Sequence, residues 1–117
     1  MTDDELRRYA ERLNTLNRAH DEAMKRRREE ARAEAQRLAH RLYEALPGLK
    51  AVYGFGSVFE PRRPFTERSD IDLAIEGGEL IDAVKICLHS TFPVDVIDIS
   101  DPADPISRDI RERAVRL

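Results

Sequence analysis

The chain has 117 residues, 37% charged and 41% hydrophobic, which is enough for one small domain. A formal net charge of -3 argues against a general electrostatic grip on nucleic acid, so no direct nucleic-acid partner is expected. No apolar run reaches the ~18 residues of a membrane-spanning helix, and the acidic start is unlike a signal peptide. These features predict a cytoplasmic protein with no membrane partner.

The first 46 residues contain neither glycine nor proline, and they predict one long helix. Thr2 and Glu5 form a capping-box pattern at its start, and Leu46-Pro47-Gly48 ends it. Such a helix is about 67 Å long at 1.5 Å per residue. The remaining residues form a body only about 30 Å across. Part of the helix is therefore expected to project.

The early part of this helix carries a stripe of apolar or small residues with heptad spacing. The seam consists of Leu6, Tyr9, Leu13, Leu16, His20 and Ala23. A single helix offers little against which to bury it, so the seam suggests a second copy of the chain or another protein as partner. We therefore divide the chain into a projecting helix at 1–30, for interaction or homo-oligomer formation, and a domain at 31–117. The alternative is a solvated helix face.

The second part of the chain alternates short apolar runs with turn residues. Strands are predicted at 51–55, 71–75 and 94–99, with a loop at 59–69. Helical spacing from Leu80 to Leu88 predicts a helix of about three turns. A last helix begins at Asp104-Pro105 and aligns Ile106, Ile110, Ala114 and Leu117 on one face. The fold class is α/β (α+β): a small sandwich of a mixed β-sheet with helices packed on one face.

Three aspartates are candidates for a metal site. Asp70 and Asp72 project from the same side of a strand, with Cα atoms roughly 6.7 Å apart. Asp95 follows on the third predicted strand, where Asp98 competes for the same role. Carboxylates without histidine or cysteine nearby suit Mg²⁺ or Mn²⁺. If the three converge, they can hold two ions ~4 Å apart, the arrangement that clamps a reacting phosphoryl group.

Gly56-Ser57 follows the first predicted strand and supplies a complementary feature. Glycine permits close approach of the backbone to a ligand, and N–H groups at the start of a short helix can bind phosphate oxygens together with the serine hydroxyl. Strand, Gly-Ser, twelve residues, Asp-Ile-Asp and a further strand aspartate is a far more specific pattern than any one of its parts.

This pattern resembles the minimal nucleotidyltransferases of the DNA polymerase beta-like superfamily. The matching residues are Tyr53-Gly54-Phe55-Gly56-Ser57, Ser69 to Glu76, and Val94-Asp95-Val96-Ile97-Asp98. The resemblance implies that Gly56 and Ser57 hold the triphosphate of ATP and that Asp70 and Asp72 bind two Mg²⁺ ions. It implies that Asp95 binds the ion next to the acceptor and helps to take up its proton.

Members this small resemble antitoxins of toxin–antitoxin modules. The resemblance implies a HEPN-domain ribonuclease toxin as partner and transfer of AMP from ATP to one of its tyrosines, with release of pyrophosphate. Two alternatives stay open: a catalytically silent antitoxin that acts by occlusion through the long helix, and a nucleotidyltransferase for a small molecule. The loop after Gly56-Ser57 departs from the usual Arg-Ala-Arg-Gly, which leaves open whether Arg62, Arg63 or Arg68 contacts the triphosphate.

Overall fold

The computed structural model describes residues 1–117 and has the predicted α+β fold. Three helices, α1 to α3, and four strands, β1 to β4, make up the chain, together with a 3-10 turn after β1. In chain order they are α1 Asp3–Ala45, β1 Ala51–Phe55, the turn Gly56–Val58, β2 Ile71–Glu76, α2 Leu80–Cys87, β3 Val94–Asp98, α3 Pro105–Arg113 and β4 Val115–Arg116. The sheet has the order β3-β2-β1-β4. It is mixed, because β1 pairs antiparallel with β2 and β4 whereas β2 and β3 are parallel.

The long helix forms as predicted. Thr2 caps it: the Glu5 backbone N–H donates to the Thr2 hydroxyl oxygen at 3.2 Å. At the other end the Leu46 N–H still donates to the carbonyl of Leu42, and Leu46 itself has extended backbone angles. Of the helices, none combines the length and the apolar character that crossing a membrane requires.

The N-terminal half of α1 projects from the body. The molecule measures 67 × 29 × 17 Å, so the helix sets its longest dimension. All of residues 1–22 are exposed. Arg28 and Arg32 attach α1 to the body. Their Nε atoms both donate to the Val58 carbonyl, at 3.1 and 2.8 Å. Val58 ends the turn after β1. The part of α1 that precedes Arg28, which we call the free half, therefore extends past the end of β1.

The main core lies between α1, α2 and one face of the sheet. Leu38 and Leu42 of α1 pack with Ile71, Leu73 and Ile75 of β2, and all five side chains are fully buried. Alternation along β2 places the intervening residues on the other face of the sheet. The expected covering of one face therefore holds for α1 and α2.

The third helix lies on the other face of the sheet. A smaller cluster joins Ile110 of α3 to Ala74 of β2 and to Ile99, just after β3. The helix starts where predicted, with the Asp104 carboxylate accepting from the Ile106 N–H at 3.2 Å. It thus covers part of the face that the sequence analysis left without a helix.

The end of the chain differs from the prediction. The last helix stops at Arg113 and does not continue to Leu117, because Val115 and Arg116 pair with Gly54 and Tyr53 of β1 as β4. The expected common face of the helix is lost with it, and Ile106 is 65% exposed. Backbone pairing with an otherwise open sheet edge satisfies the groups that further helical turns would have paired.

The second helix is shorter than predicted, and a different side of it faces the core. It spans Leu80–Cys87, about two turns, and it buries Ala83 and Cys87. Ile81 and Leu88, expected on its apolar face, are exposed to 61% and 72%. Cys87 is buried and unpaired, as the sequence indicated.

Candidate active site

Two of the three predicted aspartates are neighbours on adjacent strands, and the third directly precedes one of these strands. Asp72 of β2 and Asp95 of β3 are direct neighbours in the parallel ladder, which places the two strands about 4.8 Å apart there. Asp70 directly precedes β2. The residue opposite Asp72 on β1 is Phe55, the last residue of that strand. The candidate site therefore lies where β1 ends and where β2 and β3 begin.

Asp98, the competing aspartate of β3, is excluded from this group. It lies three residues after Asp95, and strand alternation places it on the opposite face. Its carboxylate is occupied at the end of the strand, where Oδ1 accepts from the Ser100 N–H at 2.9 Å and also from the Ser100 hydroxyl. The choice of Asp95 over Asp98 therefore agrees with the geometry.

The trio has no balancing protein partner. None of the three carboxylates forms an ion pair with a basic side chain. Burial, together with the negative charges of Asp95 and Asp70, raises the pKa of Asp72 from 3.8 to about 6, although the charge of Arg63 acts to lower it. Unpaired like charges at this spacing favour either protonation or a bound cation.

The donor chemistry fits a divalent ion, although the ligands are not assembled for one. No group of three or more acidic, histidine or cysteine side chains is close enough to coordinate a metal in the structure. Mutual repulsion keeps uncompensated carboxylates apart, and hard carboxylate oxygens are the ligands that Mg²⁺ and Mn²⁺ prefer. The roles of Asp70, Asp72 and Asp95 as metal ligands stay a prediction.

Two features require a glycine at position 56: its backbone angle and its closeness to Asp72. Its φ of +72° lies in the left-handed region, and a Cβ atom at this position would collide with Oδ2 of Asp72. Ser57, the second predicted phosphate-binding residue, follows within the 3-10 turn and is half-buried. The Gly56-Ser57 turn thus lies directly against the aspartate that has the raised pKa.

Two further residues at the turn escaped the sequence analysis. Oε2 of Glu60 accepts from the Gly56 N–H at 2.6 Å. Nη1 of Arg113 donates to both Glu60 oxygens at 3.0 and 3.1 Å. The four-residue separation of Gly56 and Glu60 is a local signal that could have been noticed. No local signal connects Glu60 to Arg113, because 53 residues separate them.

The loop arginines behave differently from one another. Arg63 approaches the site, with Nε 3.5 Å from Oε2 of Glu60 and its charge acting on Asp72. Arg62 and Arg68 are exposed and form no side-chain hydrogen bond or ion pair. Of the three, Arg63 is therefore the one that the fold brings towards the aspartates.

The aspartate edge is an open surface. None of the clefts in the molecule is lined by Asp70, Asp72, Asp95 or Ser57. An open site offers no enclosure for a second substrate.

The sequence matches no protein-family model and no curated protein. Its fold is similar to that in a crystal structure of the toxin–antitoxin MntA-HpeT, at a TM-score of 0.54 and 17% identity over 70% of each chain. MntA is a minimal nucleotidyltransferase. The chain has the fold of a small nucleotidyltransferase. The resemblance inferred from the sequence is thereby confirmed for the fold.

In this nucleotidyltransferase fold, one continuous stretch supplies most of the candidate site. Residues 56–72 contain the turn and two aspartates, and β3 adds Asp95 from the neighbouring strand. The free half of α1 contributes none of these residues.

Proposed function

We propose that this chain is a metal-dependent nucleotidyltransferase that works as an antitoxin. It transfers AMP from ATP to a tyrosine of a HEPN ribonuclease toxin and releases pyrophosphate. The observation that carries the proposal is the placement of Asp72 beside Asp95 on neighbouring strands, next to the Gly56 turn. Neither carboxylate forms an ion pair with a basic side chain.

The structural neighbour supports the biological setting. MntA-HpeT is a toxin–antitoxin pair, and the crystallised mutant replaces two aspartates, separated by one residue, with glutamates. Asp70 and Asp72 have the same separation. We therefore expect the partner of this chain to be a toxin, with ATP as the nucleotide substrate.

The proposed reaction assigns each residue a step. The Gly56-Ser57 turn would bind the triphosphate, and Asp70, Asp72 and Asp95 would hold two Mg²⁺ ions, for which Mn²⁺ can substitute. The ions supply charge neutralisation for the reacting phosphates. The tyrosine oxygen bonds to the α-phosphorus, the bond from that phosphorus to the β-bridging oxygen breaks, and pyrophosphate leaves. Asp95, exposed on β3, accepts the phenolic proton.

Labelling of the partner tests this proposal. The purified chain, its toxin, Mg²⁺ and labelled ATP should yield a toxin carrying one AMP on a tyrosine, identified by mass spectrometry. Asp70→Asn combined with Asp72→Asn should abolish labelling. Asp98→Asn is the matched control, because Asp98 is an aspartate of the same sheet that lies outside the trio, and it should label normally. Persistent labelling by the double variant would remove the assigned chemistry.

A second candidate, an antitoxin that acts only by occlusion, is favoured by the surface of α1. Four residues of its free half form an exposed apolar stripe, which we call the free stripe: Leu6, Tyr9, Leu13 and Leu16, exposed to 50, 53, 42 and 60%. Apolar stripes at helical spacing bind partner proteins. We expect the free stripe to contact the toxin under either candidate function.

Two variants separate the candidates. Leu13→Lys with Leu16→Lys places charge on the free stripe without touching the buried core. Under occlusion, this variant releases the toxin and restores its ribonuclease activity, whereas Asp72→Asn still neutralises it. Under catalysis, Asp72→Asn leaves the toxin active. Toxin ribonuclease assays with both variants distinguish the two outcomes.

A further inference from the structure

The Gly56 turn is closed by a side chain as well as by the backbone. The N–H of Glu60 donates to the Gly56 carbonyl at 2.8 Å, and the Glu60 carboxylate accepts from the Gly56 N–H at 2.6 Å. The two residues therefore exchange a reciprocal pair of hydrogen bonds. This resembles the capping box of a helix, in which a glutamate reaches back to a free N–H at the start. A left-handed glycine that is held from both sides has little freedom to change shape.

A second residue holds Glu60 in place. Nη1 of Arg113, the last residue of α3, donates to both carboxylate oxygens, and the Glu60 side chain is only 16% exposed. The hydrogen bond that Arg113 donates to Glu60 is the largest factor that raises the pKa of Arg113. Two residues later, Val115 pairs with Gly54 of β1. Arg113 is thus tied to the same strand that leads into the turn.

The same carboxylate also forms an ion pair with a loop arginine. Arg63 lies 3.5 Å from Oε2 of Glu60, and half of its side chain is exposed. One carboxylate therefore organises the backbone turn and the loop arginine that is nearest the aspartates. The hydrogen bonds that Glu60 accepts from Gly56 and Arg113 are charge-assisted, a kind about twice as strong as neutral ones.

We infer that Glu60 and Arg113 are positioning residues that hold the Gly56-Ser57 turn, with Arg63, in the shape that receives the triphosphate. The inference rests on the proposed function, because it assigns the turn to ATP. It names two residues outside the predicted site. Neither touches the reacting atoms, and each acts through the turn.

Equilibrium binding to the full-length chain tests the inference. Calorimetry with ATP and Mg²⁺ should show that Glu60→Ala binds ATP about tenfold more weakly than wild type, since a charge-assisted hydrogen bond is lost. Glu60→Gln should fall between the two, because its amide oxygen still accepts from the Gly56 N–H. Glu67→Gln is the control: Glu67 lies in the same loop, is exposed and forms no side-chain hydrogen bond, and its variant should bind like wild type.

Two readouts distinguish positioning from general loss of structure. Binding of Mn²⁺ alone, measured by electron paramagnetic resonance, should change less than about threefold in Glu60→Ala, because the three aspartates remain. Glu60→Ala with Arg113→Ala should weaken ATP binding no more than Glu60→Ala alone, since the two residues act as one unit. Equal losses of ATP and Mn²⁺ binding, or additive effects of the two substitutions, would overturn the inference.

An unchanged or higher ATP affinity in Glu60→Ala would also overturn the inference. If Glu60→Ala binds ATP as well as or better than wild type, the carboxylate competes with phosphate for the Gly56 N–H and does not prepare the turn. Hydrogen exchange of the Gly56 amide, measured without nucleotide, should be slow in wild type and fast in Glu60→Ala. If the wild-type chain binds no ATP, the proposed function fails, and this exchange measurement still decides whether Glu60 holds the turn.

Discussion

Replacing Asp72 with asparagine should stabilise the protein when no metal is present. Burial raises the pKa of Asp72 from 3.8 to about 6, aided by the charges of Asp95 and Asp70. A shift of about two pKa units corresponds to about 3 kcal/mol of unfolding free energy. Asp72 is only half-buried, so screening by water reduces the expected gain to about 1–2 kcal/mol. Asparagine keeps the shape of the side chain and removes the charge.

The gain should depend on pH in a defined direction. A carboxyl group with a raised pKa in the folded state destabilises the fold where it is ionised in the unfolded chain. The penalty is absent below about pH 4, grows between pH 4 and 6, and is complete above pH 6. Asp72→Asn should therefore melt about 4–8 °C above wild type at pH 7.5. At pH 4 the two proteins should melt at nearly the same temperature.

Thermal unfolding followed by circular dichroism, in buffer containing a chelator, provides the measurement. Asp98→Asn is the control, because it also neutralises an aspartate of β3, keeps an oxygen that can accept from Ser100, and relieves no crowding at the site. It should not stabilise the protein at either pH. The reasoning is refuted if Asp72→Asn melts no higher than wild type at pH 7.5, or if the gain is as large at pH 4.

Three further outcomes follow from the structure. Mg²⁺ should raise the melting temperature of wild type and not that of Asp72→Asn, because an ion that binds only the folded state stabilises it. Gly56→Ala should destabilise the fold by more than Gly48→Ala: both glycines have positive φ, which costs about 1–2 kcal/mol for alanine, but only a Cβ at Gly56 strikes a site carboxylate. Leu38→Ala, fully buried, should cost about 2–5 kcal/mol, whereas Leu13→Ala should cost less than about 0.5 kcal/mol in the isolated chain; denaturant unfolding measures both.

The sequence was most informative where the deciding interactions are local. The capping pattern of Thr2 with Glu5 and the absence of breakers fixed α1 almost to the residue. Strand alternation predicted that Asp70 and Asp72 share one side, and the parallel pairing of β2 with β3 places Asp95 next to Asp72. Periodicity and turn chemistry act over a few residues, so one sequence suffices to read them.

The features that escaped prediction depend on partners far along the chain. The two residues of β4 form a strand only because β1 leaves an edge unpaired. The contact of Arg113 with Glu60 depends on how α3 crosses the sheet. Ile81 is exposed and the smaller Ala83 is buried, because the side of α2 that carries Ala83 fits against α1. Such choices are made by tertiary packing, which overrides local pattern.

Because α1 is one unbroken helix, the distances between the residues along its axis are fixed. Arg28 holds the helix against the turn that follows β1, near the aspartates, and Leu16 and Leu6 lie about 18 and 33 Å further along it at 1.5 Å per residue. Under the proposed function, a toxin that binds those leucines needs its acceptor tyrosine at a matching distance from the bound surface. Spacing along the helix would then select a cognate partner, although no cleft encloses the aspartates.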